Sequence, residues 1–412
     1  MNKLFKSNMF NIIGVPGTIQ FSLSEIFPIL SGLYFNNLSD NIDIVFDIKH
    51  EYKTLIGCSC RQLFNNFILT WKHINKDKII NIGVSPILHT SFRDIIEKNF
   101  NKSQIHLFDF DNSYNKLIVP NYIKNIKLDL IIITHLWGKY LDISDIKTCF
   151  SNTFIIEDCV LSGQYKNNNS NSDILFYSCG MDKRPSSLFG GYAHIKNKHM
   201  KIIKIMEFNI LNSKKNKISD SLKKIFDCLI LYFIYNSKII QTVIMFFIFI
   251  KNLSLNNVVE KIRKDKPGFN HSYKIKKVDK FIVDINYNKI KNNVSNEKLL
   301  IYKHKLFMSY FDKSNIKQFF PWFSNSPNKT ICCLPYCPIF IKTNKKLFVK
   351  YMNKNFICSA KNPTYKTFDN RNIKIDDFLN NIYFLPSLYN LTDDEVNKLA
   401  HFINNFINVT KS

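Results

Sequence analysis

The sequence predicts an α/β fold: a large domain on a mostly parallel, doubly wound sheet in three αβα layers, and a smaller C-terminal α+β domain. The 412 residues exceed what a single hydrophobic core usually holds. Hydrophobic residues make up 45% of the chain and aromatic residues 14%, which is ample for packed interiors. Between residues 42 and 156, short apolar runs alternate with helical stretches, as is typical of parallel strands joined by crossover helices.

The first part of the chain repeats strand and helix. Strands are predicted at 42–48, 79–84, 104–108, 128–133 and 154–156, and helices at 61–71, 92–99, 119–125 and 143–150. Residues 49–55 are predicted to form a turn or short helix. Doubly wound sheets bind ligands at the carboxyl ends of their strands. Because His89, Asp158 and Ser178 lie at or after predicted strand ends, we expect them to share one pocket.

The later part of the chain differs in pattern, so we place the large domain at 1–285 and the small domain at 286–412. Helices are predicted at 298–311 and 345–353, and strands at 339–341, 356–358 and 382–385. Thr392 is a good helix N-cap and Glu395 follows three residues later. This pair predicts a capping box at the start of the last helix.

The net charge of +25 raises the question of an anionic partner. The excess lysines are scattered, and the chain has no basic helix and no aromatic RNA-binding box, so we predict no nucleic-acid partner. A basic surface also suits anionic lipid or the pyrophosphate of a nucleotide sugar. Composition does not choose between those two.

The ten cysteines lack the paired spacing of a zinc ribbon, so we predict free thiols and no metal site. The first residues are basic, but their apolar runs are too short for a cleaved signal peptide. We therefore expect a cytoplasmic protein, with peripheral attachment to a membrane left open.

The segment from Glu157 to Gly191 contains the residues with the clearest chemistry. Glu157 and Asp158 follow a buried apolar strand, and Lys183 lies in a polar turn. A carboxylate can keep the pyridine nitrogen of pyridoxal phosphate protonated, and a lysine amine can bind its aldehyde as a Schiff base. The alternative is an ordinary lysine on a solvated loop.

A longer pattern favours the cofactor. The order and spacing of a Gly-Asp, Ser, Lys and Gly-Gly run are reproduced by Asp173, Ser178, Lys183, Gly190 and Gly191. Only the first glycine differs, with Ser172 in its place. The chain thus resembles the DegT/StrS family of sugar aminotransferases, pyridoxal phosphate enzymes of the aspartate aminotransferase fold (fold type I), as a divergent member. The resemblance implies that Asp158 pairs with the pyridine nitrogen, Ser178 binds phosphate and Lys183 is the catalytic lysine.

The resemblance implies further site residues. A loop that opens a helix, formed here by Ser59, Cys60 and Arg61, would bind the cofactor phosphate through free backbone N–H groups. Arg61 would either supplement that binding or point into solvent. His89 is the first candidate to stack on the cofactor ring and Phe92 the second, and a loop histidine without a ligand is the alternative for His89.

The same resemblance predicts a homodimer with shared sites. Asn270 matches the family asparagine that reaches the phosphate of the partner subunit's cofactor. The segment Thr134-His135-Leu136-Trp137-Gly138 looks like the family's His-Leu-Tyr-Gly segment, and His135 is predicted to be structural. Two positions depart from the pattern: Leu161 replaces a Gln or His that contacts the ring, and Ser272 replaces an arginine.

The predicted function is a pyridoxal-phosphate-dependent aminotransferase that transfers an amino group to a keto-sugar, nucleotide-linked, in polysaccharide biosynthesis. The substrate class comes from the resemblance alone. One alternative is a catalytically degenerate, membrane-associated homologue with a binding or scaffolding role. Another is a pyridoxal phosphate enzyme acting on a lipid-linked substrate.

An apolar insertion at about 225–250 is the main departure in the large domain. Its two apolar runs are separated by Asn236, Ser237 and Lys238, and neither run is long enough to span a bilayer. Basic residues on both sides favour a helical hairpin or an in-plane anchor on a membrane surface. A helix pair buried in the core or in a dimer is the alternative, and a transmembrane span is the least favoured interpretation.

Overall fold

The computed structural model describes most of the chain. The described residues are 42–111, 114–138, 140–162, 172–180, 183, 187, 189–215, 218–237, 239–240, 243, 274–292, 296–321, 337–355, 365–368, 373–388 and 391–411. Asn270, Ser272, most of 238–250 and the predicted strand at 356–358 lie outside this part of the chain.

Strands and helices alternate through the first half. The strands are β1 Val45–Lys49, β2 Tyr52–Gly57, β3 Ile82–Val84, β4 Ile87–His89, β5 Ile105–Leu107, β6 Asp109–Phe110, β7 Leu117–Ile118, β8 Leu130–Thr134, β9 Phe154–Asp158, β10 Ile174–Ser178, β11 Gly191–Lys196, β12 Cys337–Phe340, β13 Tyr365–Thr367 and β14 Ile382–Leu385. The helices are α1 Cys60–Ile74, α2 Thr90–Asn99, α3 Asn121–Lys124, α4 Ser144–Cys149, α5 Met200–Leu211, α6 Ile218–Asn236, α7 Lys280–Asn292, α8 Asn296–Met308, α9 Lys313–Phe319, α10 Lys345–Lys354, α11 Ile373–Asn381 and α12 Asp393–Lys411.

One eight-stranded sheet organises the fold, in the order β1-β2-β11-β10-β9-β8-β3-β5. The strands from β10 to β5 in this order pair in parallel, whereas β11 is antiparallel to both of its neighbours and β1 is antiparallel to β2. The predicted α/β class with a mostly parallel sheet is therefore confirmed.

The predicted turn or short helix at residues 49–55 is wrong. Only His50 and Glu51 turn, and β2 begins at Tyr52. This strand pairs with β1 on one side and β11 on the other, and Thr54, Leu55 and Ile56 are completely buried. Hydrogen bonding to a strand on each side stabilises the extended conformation here, although the local sequence contains lysines that disfavour a strand. This is a tertiary effect, which the β propensities of single residues do not predict.

Helix α1 covers one face of the sheet with the residues expected from its apolar periodicity. Leu63, Phe64, Phe67 and Ile68 are all buried in the core cluster that includes the sheet residues Ile156 and Phe176. Such burial stabilises by roughly 2 kcal/mol per large side chain. This packing fixes where the N-terminus of α1 lies relative to the strand ends.

The C-terminal part contains its own apolar cluster, built mainly from α8 to α10, β12, β14 and α12. The predicted capping box is present: the Glu395 N–H donates to Thr392 Oγ1 at 3.2 Å, and the Thr392 N–H donates to Glu395 Oε2 at 2.9 Å. Helix α7 crosses residue 286 and buries Phe281 and Ile282 against the sheet core. Strand β13 pairs with β4. The division into two domains at residue 286 stays a prediction.

Helix α6 is the described part of the apolar insertion. Ser221 and Ile225 are buried, and the opposite side of the helix is exposed. Of the helices that the structure describes, none has the length and apolar character needed to cross a membrane.

Candidate active site

Two polar side chains meet at the carboxyl edge of the sheet. Asp158 ends β9 and Ser178 ends β10, and these strands run in parallel with Phe176 opposite Asp158. Thr134, the last residue of β8, lies opposite Asp158 on the other side. Asp158 and Ser178 thus lie at the ends of adjacent strands, and that they share a cofactor pocket stays a prediction.

Asp158 is a buried carboxylate with one unused oxygen. Its side chain is 1% exposed; Oδ1 accepts a hydrogen bond from the Val160 N–H at 3.1 Å, whereas Oδ2 has no N–H or charged partner among the residues that the structure describes. Burial raises the pKa of Asp158 to about 6, although the Val160 N–H, the charge of Lys183 and the Thr134 hydroxyl act in the opposite direction. A buried acceptor of this kind suits a cationic N–H donor.

The N-terminus of α1 lies against the glycine pair. Ser59 caps the helix, accepting a hydrogen bond from the Gln62 N–H at 3.3 Å, and it forms a parallel bridge with Gly190, whose φ is +93°. A Cβ at Gly191 would lie 2.4 Å from the Cys60 backbone nitrogen and 2.8 Å from the Tyr177 carbonyl oxygen. Only glycine permits β11 to start this close to the helix end.

The first turn of α1 offers a positive environment. It contains no acidic residue, and its leading N–H groups have no partner within the helix. Burial and the nearby charge of Asp158 raise the pKa of Cys60 well above its usual value, so Cys60 is a neutral thiol. The half-buried Arg61 adds positive charge next to it. This end of the helix can hold an anion such as a phosphate group.

Lys183 follows β10 and is half-buried. Its N–H donates to the Gly180 carbonyl at 2.9 Å, and its charge lowers the pKa of Asp158, which places the two side chains in one electrostatic environment. In the same segment, the Gly180 N–H approaches Ser178 Oγ at 3.4 Å. Lys183, Asp158, Ser178 and Cys60 are thus drawn together around the ends of β9, β10 and α1.

Two residues that sequence reasoning missed hold this segment. The Ser187 hydroxyl contacts the Phe189 carbonyl at 2.8 Å, the Cys179 carbonyl at 3.3 Å and Asn286 Oδ1. Asn286, fully buried on α7, also donates to the Phe189 carbonyl at 3.3 Å. Because Ser187 and Asn286 are 99 residues apart, no local pattern points to their contact.

His89 occupies a different setting. It ends β4, which pairs with β13 rather than with the main sheet, and its ring caps α2 by accepting the Ser91 N–H at 3.2 Å. Its stacking on a cofactor ring stays a prediction. Phe92, the second candidate, is wrong for that role because its ring stacks on Phe64 in the core, with ring centres 4.0 Å apart.

Neither a protein-family model nor a curated protein sequence matches the chain. Solved structures do match over nearly its whole length. An aminotransferase from Psychrobacter cryohalolentis is 12% identical, with a TM-score of 0.65 and coverage of 97% of this chain and 100% of that one. Helicobacter pylori PseC, an aminotransferase of pseudoaminic acid biosynthesis, is 12% identical, with a TM-score of 0.60 and coverage of 95% of this chain and 98% of that one. A GDP-4-keto-6-deoxy-D-mannose-3-dehydratase from E coli with bound hydrated PLP is 13% identical, with a TM-score of 0.61 and coverage of 96% of this chain and 100% of that one.

The chain has the fold of the sugar aminotransferases. The resemblance in the sequence is therefore confirmed as a resemblance in fold. In an aminotransferase fold, the edge that carries Asp158, Ser178 and Lys183 is the carboxyl edge where open α/β sheets bind their ligands.

A buried hydrogen-bond network lies beside Asp158 in this aminotransferase fold. The Leu141 N–H donates to His135 Nδ1 at 3.1 Å, so the ring proton is on Nε2, which donates to Glu157 Oε2 at 2.8 Å. Burial raises the pKa of Glu157, but the hydrogen bonds from His135 and Ser172 outweigh it and lower the pKa to about 2. The Ser172 hydroxyl, which replaces the glycine of the sequence pattern, donates to Glu157 Oε1. This network anchors the ends of β8 and β9.

Two further predicted features have definite positions. Leu161 is 1% exposed and packs in the apolar cluster that contains Trp137, and its carbonyl accepts the Gly138 N–H at 2.8 Å. It brings no polar group to the site. Cys159 lies beside His135 and Glu157, with donor atoms within 4.8 Å of one another. The hydrogen bond between His135 and Glu157 uses two of these atoms.

Proposed function

We propose that this protein is a pyridoxal-phosphate-dependent aminotransferase acting on a keto-sugar. The observation that carries the proposal is the buried Oδ2 of Asp158, which has no N–H or charged partner among the described residues and lies within electrostatic reach of Lys183 and of Cys60 at the acid-free N-terminus of α1. Solved structures with the same fold include a putative sugar aminotransferase, which is described in both a PLP form and a PMP form. They support the proposal at the level of fold.

The residues present fit the cofactor. Asp158 Oδ2 would accept the hydrogen bond of a protonated ring nitrogen, which would supply the partner that this oxygen lacks. The phosphate would bind at Ser178 and at Ser59, Cys60 and Arg61, where helix N–H groups point outward. Lys183 would bind the aldehyde carbon through its amine. Asn270 of the partner subunit would complete the phosphate site.

Each residue then has a separate chemical task. When bound, the cofactor supplies an electron sink for the bonds at the carbon that carries the amine. Once the donor amine has displaced it from the aldehyde carbon, the Lys183 amine would act as general base and then general acid, moving a proton between the substrate carbon and the cofactor carbon. Asp158, ionised against the ring N–H, keeps the proton on the ring nitrogen.

The first test is cofactor binding followed by absorbance. Purified protein mixed with pyridoxal phosphate is expected to gain a visible absorbance band, and the Lys183→Ala variant is expected to lack it. Lys201→Ala is the matched control, because Lys201 is exposed on α5, away from the strand ends. A wild-type protein that stays colourless at saturating cofactor would sink the proposal.

The substrate is proposed to be a nucleotide-linked keto-sugar, with glutamate or a similar amino donor, in polysaccharide biosynthesis. The GDP-linked keto-sugar in the name of one structural relative supports this class. Addition of glutamate alone is expected to bleach the visible band, and a nucleotide-linked 4-keto-sugar is expected to restore it. A free keto-sugar that restores the band equally well would remove the nucleotide from the proposal.

A shared-site homodimer makes a sharper prediction. Lys183→Ala and Asn270→Ala should each be inactive as pure dimers. Mixed dimers of the two variants contain one site with both wild-type residues, so mixing with subunit exchange is expected to restore part of the activity. Activity that stays absent in verified mixed dimers would show that Asn270 does not act across the interface.

A second proposal concerns attachment to a membrane surface. On the outer side of α6, Leu222 is 45% exposed, Phe226 63% and Phe233 46%, at spacings that place them on one stripe. The exposed Lys223 lies beside the stripe, and the chain carries a net charge of +25. An apolar face with adjacent positive charge fits an anionic bilayer. A cytoplasmic protein bound peripherally in this way could act on a lipid-linked substrate or serve as a scaffold.

Flotation with vesicles tests this attachment. Wild-type protein is expected to float with vesicles that contain anionic lipid and to float less with neutral vesicles. The Phe226→Ser/Phe233→Ser variant is expected to stay at the bottom, whereas Phe208→Ser, which alters a 65% exposed side chain on α5, should float like wild type. Equal flotation of all three proteins would discard the proposal. If the Phe226→Ser/Phe233→Ser variant had the mass of a monomer where wild type has that of a dimer, the stripe would be a contact with a second copy of the chain.

A further inference from the structure

A cavity of about 670 Å³ lies at the opposite edge of the sheet from the candidate active site. It opens at the amino ends of the central strands, where Ile80, Leu128, Phe154 and Asp173 line it. Phe154 begins β9 and Asp158 ends it, so the two sites are separated by the length of this strand, roughly 13 Å. The cavity is therefore separate from the edge that would hold the cofactor.

The cavity wall carries positive charge without matching negative charge. Lys78, Lys127 and Lys147 line the cavity, and none of them has a carboxylate partner in the part of the chain that the structure describes. These lysines come from three parts of the chain: the turn after α1, the segment before β8, and α4. Their convergence is a product of the fold and not of a basic run in the sequence.

The two acids of the cavity are already occupied. Asp129 Oδ2 accepts the Asn81 N–H at 2.9 Å. Asp173 pairs with Lys198 and His199 at 2.8 Å each, and its second oxygen accepts the Ile155 N–H at 2.9 Å. These contacts hold the pKa of Asp173 at about 2 despite its burial, so its charge is present at neutral pH and is balanced by Lys198. Asp129 offsets one of the three remaining lysine charges, which leaves a net charge of +2 for a ligand.

Trp71 contributes an aromatic wall. Its ring packs against Phe154, with ring centres 4.6 Å apart, and it lines the cavity. A ligand in the cavity would therefore lie close to this indole.

We propose that this cavity binds a phosphate-bearing small molecule. Its volume lies within the range of small-molecule sites, and lysine is a common phosphate ligand in proteins. Lys78, Lys127 and Lys147 neutralise the phosphate charge, and the Trp71 ring lies in the wall beside it. This site is independent of the proposed aminotransferase activity, because it uses none of the residues assigned to the cofactor.

Calorimetric titration with inorganic pyrophosphate tests the site. The Lys78→Gln/Lys127→Gln/Lys147→Gln variant is expected to bind about tenfold or more weakly than wild type. The matched control is Lys313→Gln/Lys317→Gln/Lys350→Gln, which removes the same charge from exposed positions on α9 and α10 and should change affinity less than about twofold. Equal weakening in both variants would reduce the effect to general surface charge and overturn the proposal. Unchanged binding in the first variant would place pyrophosphate at the cofactor edge and overturn it too.

Two measurements do not depend on the triple variant folding. Pyrophosphate is expected to change tryptophan fluorescence in wild type, and Trp71→Phe, which keeps the aromatic packing, should remove that change. In wild-type protein, pyrophosphate is expected to protect Lys78, Lys127 and Lys147 from acetylation, as read by mass spectrometry, and to leave Lys313 unprotected. A fluorescence change that persists in Trp71→Phe, or acetylation that pyrophosphate does not alter at these lysines, would refute the site.

Discussion

Replacing Asp158 with Asn is expected to stabilise the cofactor-free protein at neutral pH while it weakens cofactor binding. Burial raises the pKa of this carboxyl from 3.8 to about 6. Because the folded-state pKa is the higher one, the folded protein favours the protonated form. Stability is therefore lost as pH rises from about 4 to about 6, and the loss is complete above the folded-state pKa. A shift of about two units corresponds to about 3 kcal/mol.

Asn has nearly the same shape as a protonated Asp and carries no charge. At pH 8 the Asp158→Asn protein should be more stable to unfolding by up to about 3 kcal/mol, and at pH 4 by less than about 1 kcal/mol. Its amide can accept the Val160 N–H as Asp158 does. The difference between the two proteins should thus grow by about 2 kcal/mol across this range, while other titrating groups cancel.

Urea unfolding of cofactor-free wild type and variant at several pH values measures this difference. Asp77→Asn, at an exposed position after α1, is the control and should show no such growth. A difference in unfolding free energy that is constant from pH 4 to pH 8 would refute the reasoning. With pyridoxal phosphate added, the order is expected to reverse, because only the carboxylate gains a cationic partner.

Two further perturbations follow from the same structure. Gly191→Ala should lower the free energy of unfolding by about 3 kcal/mol, because the new Cβ meets backbone atoms of Cys60. In Gly57→Ala the new Cβ meets the Leu63 side chain instead, so this variant should lose less unfolding free energy in the same urea experiment. An equal loss in both variants would contradict the argument. Burial lowers the pKa of His194 to about 3, so stability present above pH 6.5 is lost as pH falls below it. His194→Gln should lose about 2 kcal/mol less between pH 6.5 and 4.5 in chemical unfolding, and parallel curves would contradict this.

Sequence patterns predicted the structure correctly where the interactions that stabilise it are local in the chain. The continuous apolar run at the start of β9 predicts a strand buried on both faces, and the structure buries all five residues of Phe154–Asp158. The apolar spacing in α1 predicts its buried face. The Thr392 and Glu395 pair predicts a capping box, because both hydrogen bonds form within one helical turn.

The weaker predictions depended on partners distant in the chain. Strand β2 is lysine-containing and looks like a turn, but β11 pairs with it over six residues. Phe92 follows a strand and looks available to a ligand, but Phe64 covers its ring. Ser187 gains its role from Asn286, which lies 99 residues further along the chain on α7.

The sequence alone determined the α/β class, the buried strand that leads into Asp158, and the glycine pair that the close approach at Gly191 requires. These follow from hydrophobic periodicity and from residue types whose backbone or charge permits few alternatives. The tertiary structure decided what long-range packing creates: the unpartnered oxygen of Asp158, the network around Glu157, and the basic cavity at the opposite edge. A side chain's burial, its pKa and its missing partner all depend on groups that only the fold brings within a few ångströms.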